Sequence, residues 1–110
     1  MSDNIHISAI TETWCTPDDD QVLNDISPQG YTIHHAARDG RRGGGVALIA
    51  ESRFKPSVFP TQTFASFEHI SVKLSVIKGP ILTTTIYRPP DKPIGAFLSD
   101  FHIFLENMLE

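Results

Sequence analysis

FEHISVKLSVIKGPILTTTIYRPP, residues 67–90, decides the architecture. Ile70, Val72, Leu74 and Val76 alternate with Ser71, Lys73 and Ser75, the period of a strand with one apolar face. Lys78-Gly79-Pro80 turns the chain into ILTTTIYRP, 81–89, a second β-branched run. Arg88-Pro89-Pro90 ends that run, because proline has no N–H to give to a ladder.

Working outward, NIHISAITE, 4–12, sets Ile5, Ile7 and Ala9 on one face and Ile10 on the other, a strand expected to be covered on both sides. TPDDD, 16–20, is a helix start: Thr16 as N-cap, Pro17 in the first position, and aspartates at the positive end of the dipole. Val22, Leu23 and Ile26 are expected inward, and the helix stops before Ser27-Pro28-Gln29-Gly30. Tyr31–Ala37 and Gly44–Glu51 read as a hairpin about the Asp39-Gly40 turn. Residues 53–66 are irregular around Pro56 and Pro60. From Ile94 the period changes: Ile94, Phe97, Leu98, Phe101, Phe104, Leu105 and Met108 recur at helical spacing, the aromatic stripe facing the core. Strand, helix, four strands and helix in one domain, 1–110, make an α/β (α+β) layer, mainly one mixed β-sheet with flanking helices.

The 110 residues carry 40% hydrophobic and 20% charged side chains, a globular composition. The net charge of −4 is unlike that of proteins held to nucleic acid by general phosphate neutralisation. Any such contact must be local, through Arg38, Arg41 and Arg42. Cys15 is the single cysteine, so no internal disulfide forms, which fits a reducing, intracellular compartment. No stretch approaches the roughly 18 uninterrupted apolar residues of a membrane span. MSDNIHIS at the N-terminus lacks the basic-then-apolar pattern of a signal peptide.

Several residues could carry chemistry, each beside a plainer structural role. Glu12 closes a strand, where α/β proteins often place metals and ligands; the plainer role is a solvated strand end. RDGRRGGG, 38–45, has glycines able to cradle phosphate, but no P-loop lysine and no G-x-G-x-x-G. Hairpin glycines that permit close strand packing are the stronger reading. Tyr87, at a strand end, could bond a phosphate or simply sit at a rim with a wet hydroxyl. Glu68 beside His69 would by default make a salt bridge or a surface contact. The five histidines show neither H-E-x-x-H nor zinc-ligand spacing.

Taken in order, AITETW at 9–14, GRRGGGVALIA at 40–50, FEHISVKL at 67–74 and TTTIYRPP at 83–90 resemble the endonuclease/exonuclease/phosphatase superfamily. More narrowly, they resemble the endonuclease domain of non-LTR (LINE-type) retrotransposon polyproteins. The resemblance spans nearly the whole chain and implies a two-sheet sandwich of which this chain is about half. It implies that Glu12 holds Mg²⁺ (or Mn²⁺), that Tyr87 lies near the scissile phosphate, that Glu68 supports the site from the neighbouring strand, and that DNA is the partner. A hard cation with one or two carboxylates, waters and phosphate oxygens is the usual Mg²⁺ arrangement. The Gly-Asp-Phe-Asn and Ser-Asp-His segments that complete such sites do not occur in this sequence. The expectation is a chain inactive alone and prone to self-association through an uncovered sheet face. The alternative is a non-catalytic remnant acting as a protein-interaction module.

Overall fold

A computed structural model describes residues 6–38 and 43–109. Among them run strands β1 (Ile7–Thr11), β2 (Tyr31–Ala36), β3 (Val46–Glu51), β4 (Ser57–Val58), β5 (Glu68–Val76) and β6 (Gly79–Tyr87), with helices α1 (Asp20–Ile26) and α2 (Ile94–Met108). The chain is a small mixed α/β domain of two three-stranded antiparallel sheets, ordered β1-β3-β2 and β4-β5-β6.

The single mixed sheet expected from the sequence is therefore corrected to two separate antiparallel ones. The cause lies between β3 and β5. After β3 a short 3₁₀ turn, Ser52–Phe54, ends at Lys55 in the left-handed region (φ 51°), with Pro56 next. That reversal carries the chain into a second layer, so β5 faces β3 rather than pairing beside it. The β2–β3 hairpin is as the sequence indicated, Tyr31 opposite Glu51 and Ala36 opposite Val46. Its Asp39-Gly40 turn lies outside the described residues, as does Ile5.

The core sits between the sheets. Val46, Leu48 and Ala50 of β3 meet Ile70, Val72 and Leu74 of β5, all essentially shielded from water. The period-two pattern of β5 thus points as its sequence says, with Lys73 and Ser75 outward. Ser71 departs from the pattern: it is buried, its hydroxyl 2.8 Å from that of Thr84 on β6. β4 closes over it, with Phe59 N–H donating to the Ser71 carbonyl at 2.8 Å. A second cluster forms where Phe64, Phe67 and Phe104 pack with Phe97, Phe101, Met108 and Ile86. Stacked and edge-on ring pairs fill it, which places the aromatic stripe of α2 in a core as expected.

Other apolar assignments change. β1 is an edge strand that pairs only with β3 and meets β6 of the other sheet, and Ile7 and Ile10 keep about 40% of their surface, so they are not covered on both sides. α1 is only seven residues long and among the strands packs chiefly on β2; Leu23 is half-buried while Val22 and Ile26 remain exposed. Its anchor is polar, Asp20 against the buried His35 ring at 2.5 Å. Ile94, Leu98 and Leu105 of α2 are exposed as well, because the Phe cluster occupies one stripe of that helix only. No described helix is long and apolar enough to cross a membrane.

Leu48→Ala is expected to lower unfolding free energy by about 2–5 kcal/mol, since it leaves a cavity in the inter-sheet core. Leu98→Ala, on the exposed side of α2, is expected to change it by less than about 0.5 kcal/mol. Urea denaturation of the two variants checks the assignment of core and surface.

Candidate functional site

The first sheet brings the end of β1, the end of β2 and the start of β3 together, because Thr11 and Ala36 both lie opposite Val46. In the second sheet the start of β5 adjoins the end of β6, Glu68 opposite Tyr87. The two corners meet. Glu12, Arg38, Glu68 and Tyr87, spread over the sequence, form one polar cluster there. Arg41 and Arg42 lie outside the described residues.

Glu68 is the best-held member. One carboxylate oxygen accepts from Arg38 Nε at 2.5 Å, the other from the Gly45 N–H at 2.6 Å. Both side chains of the ion pair are 16% exposed. A carboxylate with both oxygens engaged in charge-assisted and backbone bonds is a brace rather than an open ligand. Its partners come from the segments that leave β2 and enter β3 of the first sheet while it stands on the second, so it ties the layers together at the site.

Glu12 is different. It is exposed and sits in the left-handed region, φ 54°, and Trp14 follows at φ 58°. Such backbone is strained for a residue with a side chain, by about 1–3 kcal/mol each, and persists only where neighbours enforce it. The enforcing neighbour is the glycine run. Thr13 N–H donates to the Gly45 carbonyl at 3.2 Å, and Trp14 N–H to that of Gly44 at 2.7 Å.

The glycines are required by space as much as by backbone. A side chain at Gly44 would overlap the Arg38 guanidinium, and one at Gly45 would stand 2.5 Å from the Thr13 hydroxyl. The Gly45 N–H is already given to Glu68, so it is not free to cradle a phosphate. The close-packing reading of the GGG run is therefore the one that fits. The exposed Trp14 ring lies against Gly43.

The Tyr87 phenol faces the Glu12 carboxylate. Partial burial raises its phenol above the ordinary value, and the Glu12 carboxylate pushes the same way; the Arg38 charge opposes and Glu68 adds a smaller upward push. A cavity of about 500 Å³ opens beside the cluster, lined by Arg38, Glu68, Phe64, Phe67, His69 and Lys92 among others. Burial lowers the His69 pKa, which favours the neutral ring, and its Nε2 lies 2.6 Å from the Thr61 hydroxyl.

No described group of three or more His, Cys, Asp or Glu is placed to share a metal ion. Glu12 offers one exposed carboxylate, enough only for a cation that takes its other ligands from water and phosphate, the habit of Mg²⁺. The residues fit on those terms.

Sequence reasoning did not find the Arg38–Glu68–Gly45 brace or the packing of Trp14 on glycine. The signal for the brace was an acidic residue opening a strand whose inward positions are otherwise apolar.

No family model, curated protein or solved structure matches the chain.

Tyr87 and Tyr31 are the two tyrosines, so Tyr31→Phe isolates the Tyr87 titration. Its ultraviolet midpoint is expected above the ordinary tyrosine value of about 10 and should move down in Glu12→Gln. The raised folded pKa has a linked consequence: its stabilising contribution is complete below about pH 10 and fades as pH climbs through the folded value.

Proposed function

We propose that this chain carries the phosphate-binding part of a Mg²⁺-dependent phosphodiesterase site of the endonuclease/exonuclease/phosphatase type, of retroelement-endonuclease ancestry, with DNA as its ligand. The supporting observation is the contact between Glu12 and Tyr87, at the ends of strands in different sheets. Those are the two positions the resemblance assigns to the metal and to the phosphate.

Each residue has a distinct task in this reading. Glu12 would hold the cation, which when bound supplies Lewis-acid polarisation of a phosphoryl oxygen. Tyr87, kept protonated by its surroundings, donates a hydrogen bond to a phosphate oxygen. Glu68 fixes Arg38 and the glycine run, so the Glu12 segment keeps its strained backbone ready for a ligand. Arg38 contributes positive charge beside the phosphate, although Glu68 neutralises much of it.

Activation of water is the missing task. No Gly-Asp-Phe-Asn or Ser-Asp-His segment is present, and residues that act as a unit in hydrolysis lose orders of magnitude together. This chain is therefore a binder of the phosphodiester, with turnover at background.

Trp14 is the only tryptophan and stands two residues from Glu12, which makes its fluorescence a direct reporter. Titration with a short DNA duplex in Mg²⁺ is expected to quench it saturably. Chelating the metal, or Glu12→Gln, should weaken binding by about tenfold, on the order of 1.4 kcal/mol. Supercoiled plasmid should stay un-nicked by wild type and variant alike. A Trp14 signal that ignores both DNA and metal would overturn the reading; nicking abolished by Glu12→Gln would instead show that the chain is catalytically sufficient.

A further inference from the structure

Trp14 is the chain's one tryptophan and keeps 62% of its surface, more than any phenylalanine or tyrosine. The other large rings have a place inside: Phe64, Phe67, Phe97, Phe101 and Phe104 build the second core. A ring left in water adds little to folding, because its apolar area stays hydrated.

Its backbone is costly as well. Trp14 and Glu12 both hold left-handed conformations, with Thr13 between them. Bonds fix the segment on both sides of the ring. The Trp14 N–H donates to the Gly44 carbonyl at 2.7 Å, and the Cys15 N–H to the Thr13 hydroxyl at 3.3 Å. The Thr16 N–H then donates to the Asp19 carboxylate at 2.7 Å. Strain held in place this firmly is characteristic of ligand sites.

The ring is also oriented. Three consecutive atoms of its six-membered ring lie 3.3, 3.4 and 3.5 Å from the position a Cβ would take at Gly43, the middle atom nearest. That is a face-on approach; edge-on, the two flanking atoms would stand markedly farther away. One face of the indole therefore beds on the glycine run, and the 62% exposure belongs largely to the other. A flat π-face, fixed in position and open to water, suits a flat π-partner. Nucleobases stack on such rings whatever their identity. Inside a continuous duplex the base faces are covered by their neighbours, so the base that fits is an unpaired one. Charge points the same way: at −4 the chain gains little from general phosphate attraction, whereas stacking does not depend on net charge.

We propose that Trp14 is a stacking platform for an unpaired nucleobase beside the phosphodiester, so that the preferred ligand is DNA with unpaired bases rather than continuous duplex. The inference rests on the phosphodiester reading above and adds the class of DNA to it.

Anisotropy of labelled oligonucleotides in Mg²⁺ tests this with three probes: a short single strand, the same strand with its bases removed, and a blunt duplex. Wild type is expected to bind the intact strand at least about fivefold more tightly than the abasic one, and more tightly than the duplex. That comparison needs no variant. Trp14→Ala should abolish the difference between intact and abasic strands, and Trp14→Phe, which keeps a smaller ring, should retain most of it. Base-dependent binding that survives chelation and Glu12→Gln would support the platform while counting against the metal reading. Metal-dependent binding that treats intact and abasic strands alike would leave that reading standing and overturn the platform. Equal losses on both strands in Trp14→Ala, or no binding to any probe, would overturn it as well.

Discussion

The Glu68 carboxylate is the constraint from which the site follows. It belongs to the second sheet, yet it accepts from Arg38 and from Gly45, which flank the ends of β2 and β3 in the first. The apolar core between β3 and β5 draws the sheets together without direction, since burial of Leu48 or Val72 sets no register. The Glu68 bonds add direction, fixing which end of β5 meets which end of β3. Such a shielded ion pair need not add net stability, because desolvation offsets much of its attraction. Its contribution here is positional.

Position then passes along the backbone. With Gly45 held, the glycine run keeps its left-handed path, and its carbonyls accept from Thr13 and Trp14. That pairing holds Glu12 in a conformation a free chain would rarely adopt. Tyr87 arrives from the opposite side because it is paired directly with Glu68. One brace thus sets the positions of both Glu12 and Tyr87. It also accounts for the glycines without giving them a ligand.

Much of this was legible in the sequence, for identifiable reasons. Alternation in 68–76 reported a strand with one buried face, and the 3.6-residue recurrence of Phe97, Phe101 and Phe104 reported the buried stripe of α2. Both are local patterns. The two-layer arrangement was not legible, because whether β5 pairs with β3 or packs over it depends on a reversal at Lys55, a residue with no glycine-like signature. The exposure of Ile7, Ile10, Val22 and Ile26 depends on which neighbours reach them, and apolar composition alone does not tell. Glu12, Glu68 and Tyr87 could be named singly from resemblance; their convergence is a tertiary fact. The Arg38–Glu68 bond joins residues 30 apart, beyond the reach of any periodicity.

The most direct test of the brace is amide hydrogen exchange at Gly45, in wild type and in Glu68→Met, which keeps side-chain length but removes both acceptors. Slow exchange in the wild type is expected at Gly45, Thr13 and Trp14, with protection lost at all three in the variant while the amides of β5 stay slow. Fast exchange at Gly45 in the wild type, or protection unchanged in the variant, would contradict a site organised by Glu68.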